Sequence, residues 1–280
     1  MRNKKVMMKL IKDFALNNDN IRLMVMNGSR VNPNAPEDKM QDYDVACFLN
    51  NISEKPFLND RNWINYFGEI AMVQQNFFED DSYIFLIQFK DGVRIDICFV
   101  DLANYLESLE EDSLSKVIID KDNLVVNNIE ATEDSYFVKK PNAHKIFKNF
   151  NNLWWIQLNI AKGLWRNEIP YAKFMYDEVM MKQIRDITSW YISSNNSWEI
   201  NVGKAGKWFH KLLDKDLYNE FLSLYTDSKI DNIWEGLFKS QEYIRKIGGY
   251  LESKISYFSY PYQDDKNVSE LVLKIKNDNI

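Results

Sequence analysis

Long apolar runs are missing from this sequence, and so are most of the residues that build disulfide or zinc frameworks. No stretch approaches the roughly 18 uninterrupted apolar residues of a membrane-spanning helix, so no segment is expected to cross a bilayer. Two cysteines, Cys47 and Cys98, cannot supply the framework of a small secreted protein. Both lie in apolar, strand-like runs where a thiol behaves as a small hydrophobe, and a reducing, cytoplasmic compartment is expected. Of the two histidines, neither His144 nor His210 has a partner at metal-ligand spacing, and both are read as structural or surface residues. The basic start Met1-Arg2-Asn3-Lys4-Lys5 runs into Lys9, Lys12 and Asp13 rather than an apolar core, so no signal peptide is expected. A basic excess is lacking too. The net charge of -6 leaves no nucleic-acid footprint, and neither nucleic acid nor membrane is expected as a partner.

The 280 residues present are enough for one large domain or two ordinary ones, with the composition of a soluble globular protein and abundant aromatics (8 Trp, 15 Tyr, 17 Phe). Charge is unevenly placed. Residues 1–140 carry 16 Lys+Arg against 24 Asp+Glu, and residues 141–280 carry 19 against 17. The acidic half favours cations, either a metal or a positively charged substrate.

Hydrophobic periodicity divides the chain at the same place. Val6, Met7, Leu10, Ile11 and Phe14 predict an amphipathic helix; Ile21 to Met26 and Asp44 to Leu49 predict strands; Asn62 to Phe67 predicts a short helix. Tyr83–Phe89 and Val93–Val100 flank Asp91-Gly92, a strong hairpin signal because the turn needs positive φ. A helix is expected over Asp101–Leu109, then acidic loop to about Pro141, with Leu124-Val125-Val126 as the only later strand. From Asn142 the spacing is helical: one long helix through Phe147, Phe150, Leu153, Trp154, Leu158 and Ala161, then stretches near 171–193, 205–226 and 230–256. Gly248-Gly249 are expected to bend or end the last of these. Trp154, Trp155 and Trp165 read as core aromatics. The fold class is therefore α+β: an N-terminal mixed sheet with flanking helices, over 1–138, and a C-terminal all-helical bundle, over 139–280.

Chemistry concentrates in the first part. Asn27-Gly28-Ser29-Arg30 closes the first apolar strand, and Asp42-Tyr43-Asp44 opens the second. Residues i and i+2 of a strand share a face, so the two carboxylates point the same way and raise each other's pKa unless a cation lies between them. A divalent metal with hard oxygen ligands is the simplest explanation. Asp96 shares a strand face with Arg94 and Cys98, in the middle of an apolar strand. A carboxylate there is costly unless paired or metal-bound, the alternative being an edge strand with Asp96 in water. Adjacent strands can gather Asp42, Asp44 and Asp96 on one face to hold one or two Mg²⁺ ions. Main-chain amides at Gly28-Ser29, the Ser29 hydroxyl and the Arg30 guanidinium are expected to hold a phosphate tail.

The order Gly28-Ser29, Asp42-x-Asp44, Asp96 resembles the nucleotidyltransferase superfamily signature. Asn-Gly-Ser-Arg-Val-Asn-Pro-Asn (27–34) and Gln-Asp-Tyr-Asp (41–44) are similar to the aminoglycoside 6-adenylyltransferases, also called streptomycin adenylyltransferases. So are Phe89 to Gly92 with Arg94-Ile95-Asp96, Ala161-Lys162-Gly163-Leu164-Trp165-Arg166-Asn167-Glu168-Ile169, Val202-Gly203-Lys204 and Tyr260-Pro261-Tyr262, so the likeness covers nearly the whole chain. The resemblance implies a nucleotidyltransferase domain followed by a helical domain for substrate and nucleotide. It implies Mg²⁺-dependent transfer of AMP from ATP to a hydroxyl of an aminoglycoside, streptomycin at O6, releasing pyrophosphate and conferring resistance. Asp42 and Asp44 would be metal ligands, and Asp96 the third carboxylate, as ligand or general base. Gly28, Ser29 and Arg30 would hold the triphosphate, and Lys162 would reach the phosphates. A monomer is expected, with a dimer left open. Two other readings stay open: transfer to a different small-molecule or protein hydroxyl, and a nucleotide-binding module without catalysis.

Overall fold

In the computed structural model, which describes residues 1–79, 82–126 and 130–278, the chain forms two compact units, Met1–Ser135 and Tyr136–Ile280. The first is built on a six-stranded sheet of β1 (Ile21–Asn27), β2 (Tyr43–Leu49), β3 (Ile70–Glu79), β4 (Ser82–Phe89), β5 (Arg94–Asp101) and β6 (Ser115–Asp120), in the order β3-β4-β5-β2-β1-β6. Every neighbouring pair is antiparallel except β2 and β5, which run parallel, so the sheet is mixed.

Alternation along the strands decides what covers each face. Val45, Cys47, Ile95, Ile97 and Phe99 point to one side, against α1 (Lys4–Leu16), α2 (Pro56–Asn59) and a 3-10 turn over Asn62–Phe67. Aromatic rings fill that layer, with Phe57 stacked on Phe99 at 4.3 Å between centroids and Trp63 edge-on to Phe85 and Phe99. Cys47 lies in this layer and Cys98 on the opposite face; burial raises both thiols, Cys98 to about 11, so neither is a thiolate at neutral pH. The opposite face carries a smaller cluster of Leu23, Val25 and Phe48 under Leu102, Tyr105, Leu109, Leu124 and Val125, where α3 is Tyr105–Glu111. Further along that face the side chains turn polar, and there the candidate site begins.

Two strands differ from the sequence expectation. Ser115–Asp120 is a strand on the free edge of β1, although its acidic flanks read as loop. Its alternation is weak because only Ser115 is fully buried, and pairing to β1 rather than local pattern sets it. Leu124-Val125-Val126 is not a strand; the Asp120 carboxylate accepts from the amides of Leu124 and Val125 and turns the chain back over the small cluster. β3 is also absent from the periodicity reading, since Gln74, Gln75 and Asn76 break its apolar pattern at the sheet edge.

The second unit is helical: α4 (Ala143–Trp165), α5 (Ile169–Phe174), a π-helical stretch Met175–Met180 running into α6 (Met181–Ser194), α7 (Phe209–Leu212), α8 (Lys215–Leu222), α9 (Ile230–Lys254) and α10 (Tyr262–Lys276). The Asn142 side chain caps α4 by accepting from the Lys145 amide. Inside, Gln241 Nε2 donates to Gln157 Oε1 at 2.8 Å and Tyr176 OH donates to the Leu224 carbonyl at 2.7 Å, so these buried polar groups are paired. α9 runs unbroken through Gly248-Gly249. A Cβ at Gly248 would fall 2.3 Å from the Tyr260 ring, so that glycine serves a close approach rather than a bend. Trp154 is buried, while Trp155 and Trp165 are 63% and 54% exposed, which removes two of the three tryptophans from the expected core. No helix among the described residues is long and apolar enough to cross a membrane.

Candidate active site

Parallel pairing of β2 with β5 sets Asp44 directly opposite Asp96, with Ala46 opposite Cys98 and Phe48 opposite Val100. On the other side of β2, Asp44 faces Asn27 of β1. Asn27, Asp44, Asp96 and Arg94 thus form a polar band across three strands, continuous with the apolar cluster on the same face. Asp42 lies just before β2, its side chain 37% exposed, while that of Asp96 is only 12% exposed. β5 is an interior strand between β4 and β2, so the alternative of an edge strand with Asp96 in water does not apply.

Crowding of like charge shows in the titration behaviour. Burial, then Asp96 and Asp42, push the Asp44 carboxyl up to about 6. Asp42 is raised too, by burial first, with the Arg94 charge opposing and Asp96 adding. Asp112, which the sequence reading did not single out, adds a further small repulsion on Asp44.

The turn after β1 packs against this acidic band. Gly28 has φ +72, and a Cβ there would sit 2.5 Å from Asp44 Oδ2. Both the left-handed backbone and the missing side chain are therefore required. The Gly28 amide donates to the Leu114 carbonyl at 3.1 Å, so it braces the turn and is not the open phosphate donor that the sequence suggested. Asn27 Nδ2 donates to Asp112 Oδ2 at 3.1 Å and to Ser115 Oγ at 2.7 Å, and Asp112 Oδ1 accepts from the Leu114 amide at 2.9 Å. This network fastens the turn to the start of β6.

Arg30 also acts as a brace here. Its Nε donates to the Asp42 carbonyl at 2.9 Å and Nη2 to the Gln41 carbonyl at 2.5 Å, with the guanidinium 3.6 Å over the Tyr43 ring. Gln41 Nε2 returns a bond to the Ser29 carbonyl at 3.2 Å. The Ser29 hydroxyl has no partner among the described residues. Lys162 lies on α4 in the second unit, exposed and without an ion pair among the described residues.

Arg94 was placed by the sequence on the same face as Asp96 but given no role. Its Nε and Nη2 grip the two oxygens of Asp96 at 2.8 and 2.7 Å, and Nη1 is 3.5 Å from Asp42 Oδ2. Three hard-oxygen carboxylates with raised or buried members suit a divalent cation such as Mg²⁺. Among the described residues no three carboxylate, thiol or imidazole groups are already closed around an ion-sized point. The cation that the band holds is the Arg94 guanidinium.

Residues 1–275 match the family described as streptomycin adenylyltransferase. The chain belongs to that family. It is 29% identical over 285 residues to an aminoglycoside 6-adenylyltransferase of Staphylococcus aureus, covering 97% of this chain and 98% of that one. It is 28% identical over 275 residues to the protein of the same description from Bacillus subtilis (strain 168), covering 95% of each. A crystal structure of an aminoglycoside 6-adenyltransferase from Bacillus subtilis shares the fold, with a TM-score of 0.50, 24% identity and 99% of each chain covered. Membership in the streptomycin adenylyltransferase family places the chain among adenylyl-transferring enzymes.

Proposed function

We propose that this chain transfers AMP from ATP to a hydroxyl of an aminoglycoside, streptomycin at O6, with release of pyrophosphate and dependence on Mg²⁺, and that it acts in the cytoplasm as a resistance enzyme. The observation that carries this reading is the register pair Asp44–Asp96 beside Asp42 and the Gly28-Ser29 turn. An adenylyl-transferring family needs a gathered set of acids next to a backbone turn that phosphates can approach, and that face of the sheet supplies both.

Asp42, Asp44 and Asp96 would hold the metal ion. When bound, the ion supplies charge neutralisation at the α-phosphate and lowers the pKa of an attacking hydroxyl. The Ser29 hydroxyl, free to donate, would orient a phosphate oxygen. Gly28 lets the turn lie against Asp44, where a methyl group would strike the carboxylate. Arg30 contributes by fixing the strand entrance that carries Asp42. As an alternative to ligating the ion, Asp96 would be the base that takes the hydroxyl proton. Lys162, an exposed cation with no ion pair among the described residues, would bind a phosphate group. The acidic excess of the first 140 residues, 24 Asp+Glu against 16 Lys+Arg, provides a field that draws in a polycationic acceptor.

The test is mass spectrometry of streptomycin after incubation with protein, ATP and Mg²⁺. A mass gain of one AMP unit, with pyrophosphate released in equal amount, is expected. Turnover of a different acceptor from a panel, with streptomycin left unmodified, would overturn the acceptor assignment. ATP binding without turnover of any acceptor would overturn catalysis.

A further inference from the structure

Both oxygens of Asp96 lie in a two-pronged grip by Arg94, at 2.8 and 2.7 Å, which takes up one lone pair on each and offsets the carboxylate's charge. The two residues are i and i+2 on one strand, so the pair is local and forms with β5 itself. Among the described residues, Arg94 makes no ion pair other than those with Asp96 and Asp42. Its register neighbour on β4, Gln88, points its amide nitrogen to the Val93 and Phe89 carbonyls and does not tie the guanidinium down. The Arg94 side chain is 39% exposed against 12% for Asp96, so the arginine is the partner with room to leave.

Asp42, Asp44 and Asp96 carry three negative charges when ionised, which Arg94 alone does not offset, so the set still attracts a divalent ion. A guanidinium and a divalent ion on the same Asp96 carboxylate repel each other, so each weakens the other's hold.

We propose that Arg94 is an exchangeable counter-cation: it holds the carboxylate set together in the metal-free protein, yields Asp96 when a divalent ion enters, and then faces the nucleotide's phosphates. This rests on the metal-site reading above. Two cationic ligands competing for one carboxylate are coupled reciprocally, so removing one tightens the other.

The experiment titrates Mn²⁺ alone, without nucleotide, into wild type, R94Q, R94K and D44N, following free Mn²⁺ by electron paramagnetic resonance, with KM for ATP measured separately. R94Q is expected to bind Mn²⁺ about tenfold or more tightly than wild type, while its KM for ATP rises; couplings of this kind span about 5- to 150-fold. R94K keeps the charge but lacks the fork, and its Mn²⁺ affinity is expected between the two. It also serves if R94Q does not fold. A general loss of packing would weaken both ligands together and does not produce opposite signs. Equal or weaker Mn²⁺ binding by R94Q and R94K, with wild type binding and D44N not, overturns the exchange and leaves the metal site standing. No Mn²⁺ binding by wild type or R94Q overturns the metal site, and the exchange with it.

Discussion

Replacing Asp44 by asparagine should make the metal-free protein more stable, although it removes a residue from the site. The folded environment raises the Asp44 carboxyl from 3.8 to about 6, through burial first and then Asp96 and Asp42. A raised carboxylate pKa means that the ionised form is held at a cost. That cost is absent below about pH 4, where the group is protonated folded and unfolded, grows between about pH 4 and 6, and is constant above. At neutral pH a rise of this size corresponds to about 3 kcal/mol. For a compact unit of this length that is a rise in Tm of roughly 5–10 °C. Thermal unfolding of wild type and Asp44→Asn, both in EDTA, checks it across about pH 4 to 8. The Tm difference should be small near the low end of that range, open as the folded-state carboxyl ionises and stay level above about pH 6. Adding Mg²⁺ should then raise wild type and leave the variant unmoved. A pH-independent difference, or a variant less stable than wild type at neutral pH, would refute the electrostatic account of this site.

The same carboxylates should dominate the chemistry. Asp42→Asn and Asp44→Asn are each expected to cut AMP transfer by roughly 10³-fold or more in a pyrophosphate-release assay. Gly28→Ala must place a Cβ 2.5 Å from Asp44 Oδ2 at φ +72, and is expected to lose about 1–3 kcal/mol in denaturant unfolding together with most of the transfer activity. Gly248→Ala meets the Tyr260 ring and is expected to cost about 1–3 kcal/mol, with KM values unchanged in the protein that remains folded. Asn27→Ala leaves Asp112 and Ser115 without their shared donor, for about 1–2 kcal/mol and a raised KM for ATP, read by initial rates.

Much of the site lies open in the sequence because its signals are local. Gly28 announces a turn, Asp42-x-Asp44 a shared face, and Asp91-Gly92 the hairpin that brings β5 back into the sheet. What local pattern does not contain is pairing. The parallel match of Asp44 to Asp96 depends on β5 inserting beside β2, some fifty residues away in sequence. Ser115–Asp120 becomes a strand only because β1 has a free edge, and β3 only because β4 does. Charged side chains carry the least local signal of their place. Arg30 carries the same charge whether it binds phosphate or spends its N–H groups on the Asp42 and Gln41 carbonyls, and composition does not distinguish these. Asp112 and Arg94 look like surface charge until the register brings them beside Asp44 and Asp96. Gly248 reads as a helix breaker until Tyr260 is seen against it.

The parallel pairing of β2 with β5 has one more consequence. Side chains alternate, so a slip of one residue would offer Asp44 either Ile95 or Ile97 as its neighbour and turn Asp96 toward the layer of Phe57, Trp63 and Phe85. The aromatic layer would reject that charge, so the mispaired sheet is penalised on the face away from the acids. The hydrophobic side of the sheet thereby proofreads the acidic side: a molecule that has buried Ile95, Ile97 and Phe99 has already aligned its carboxylates.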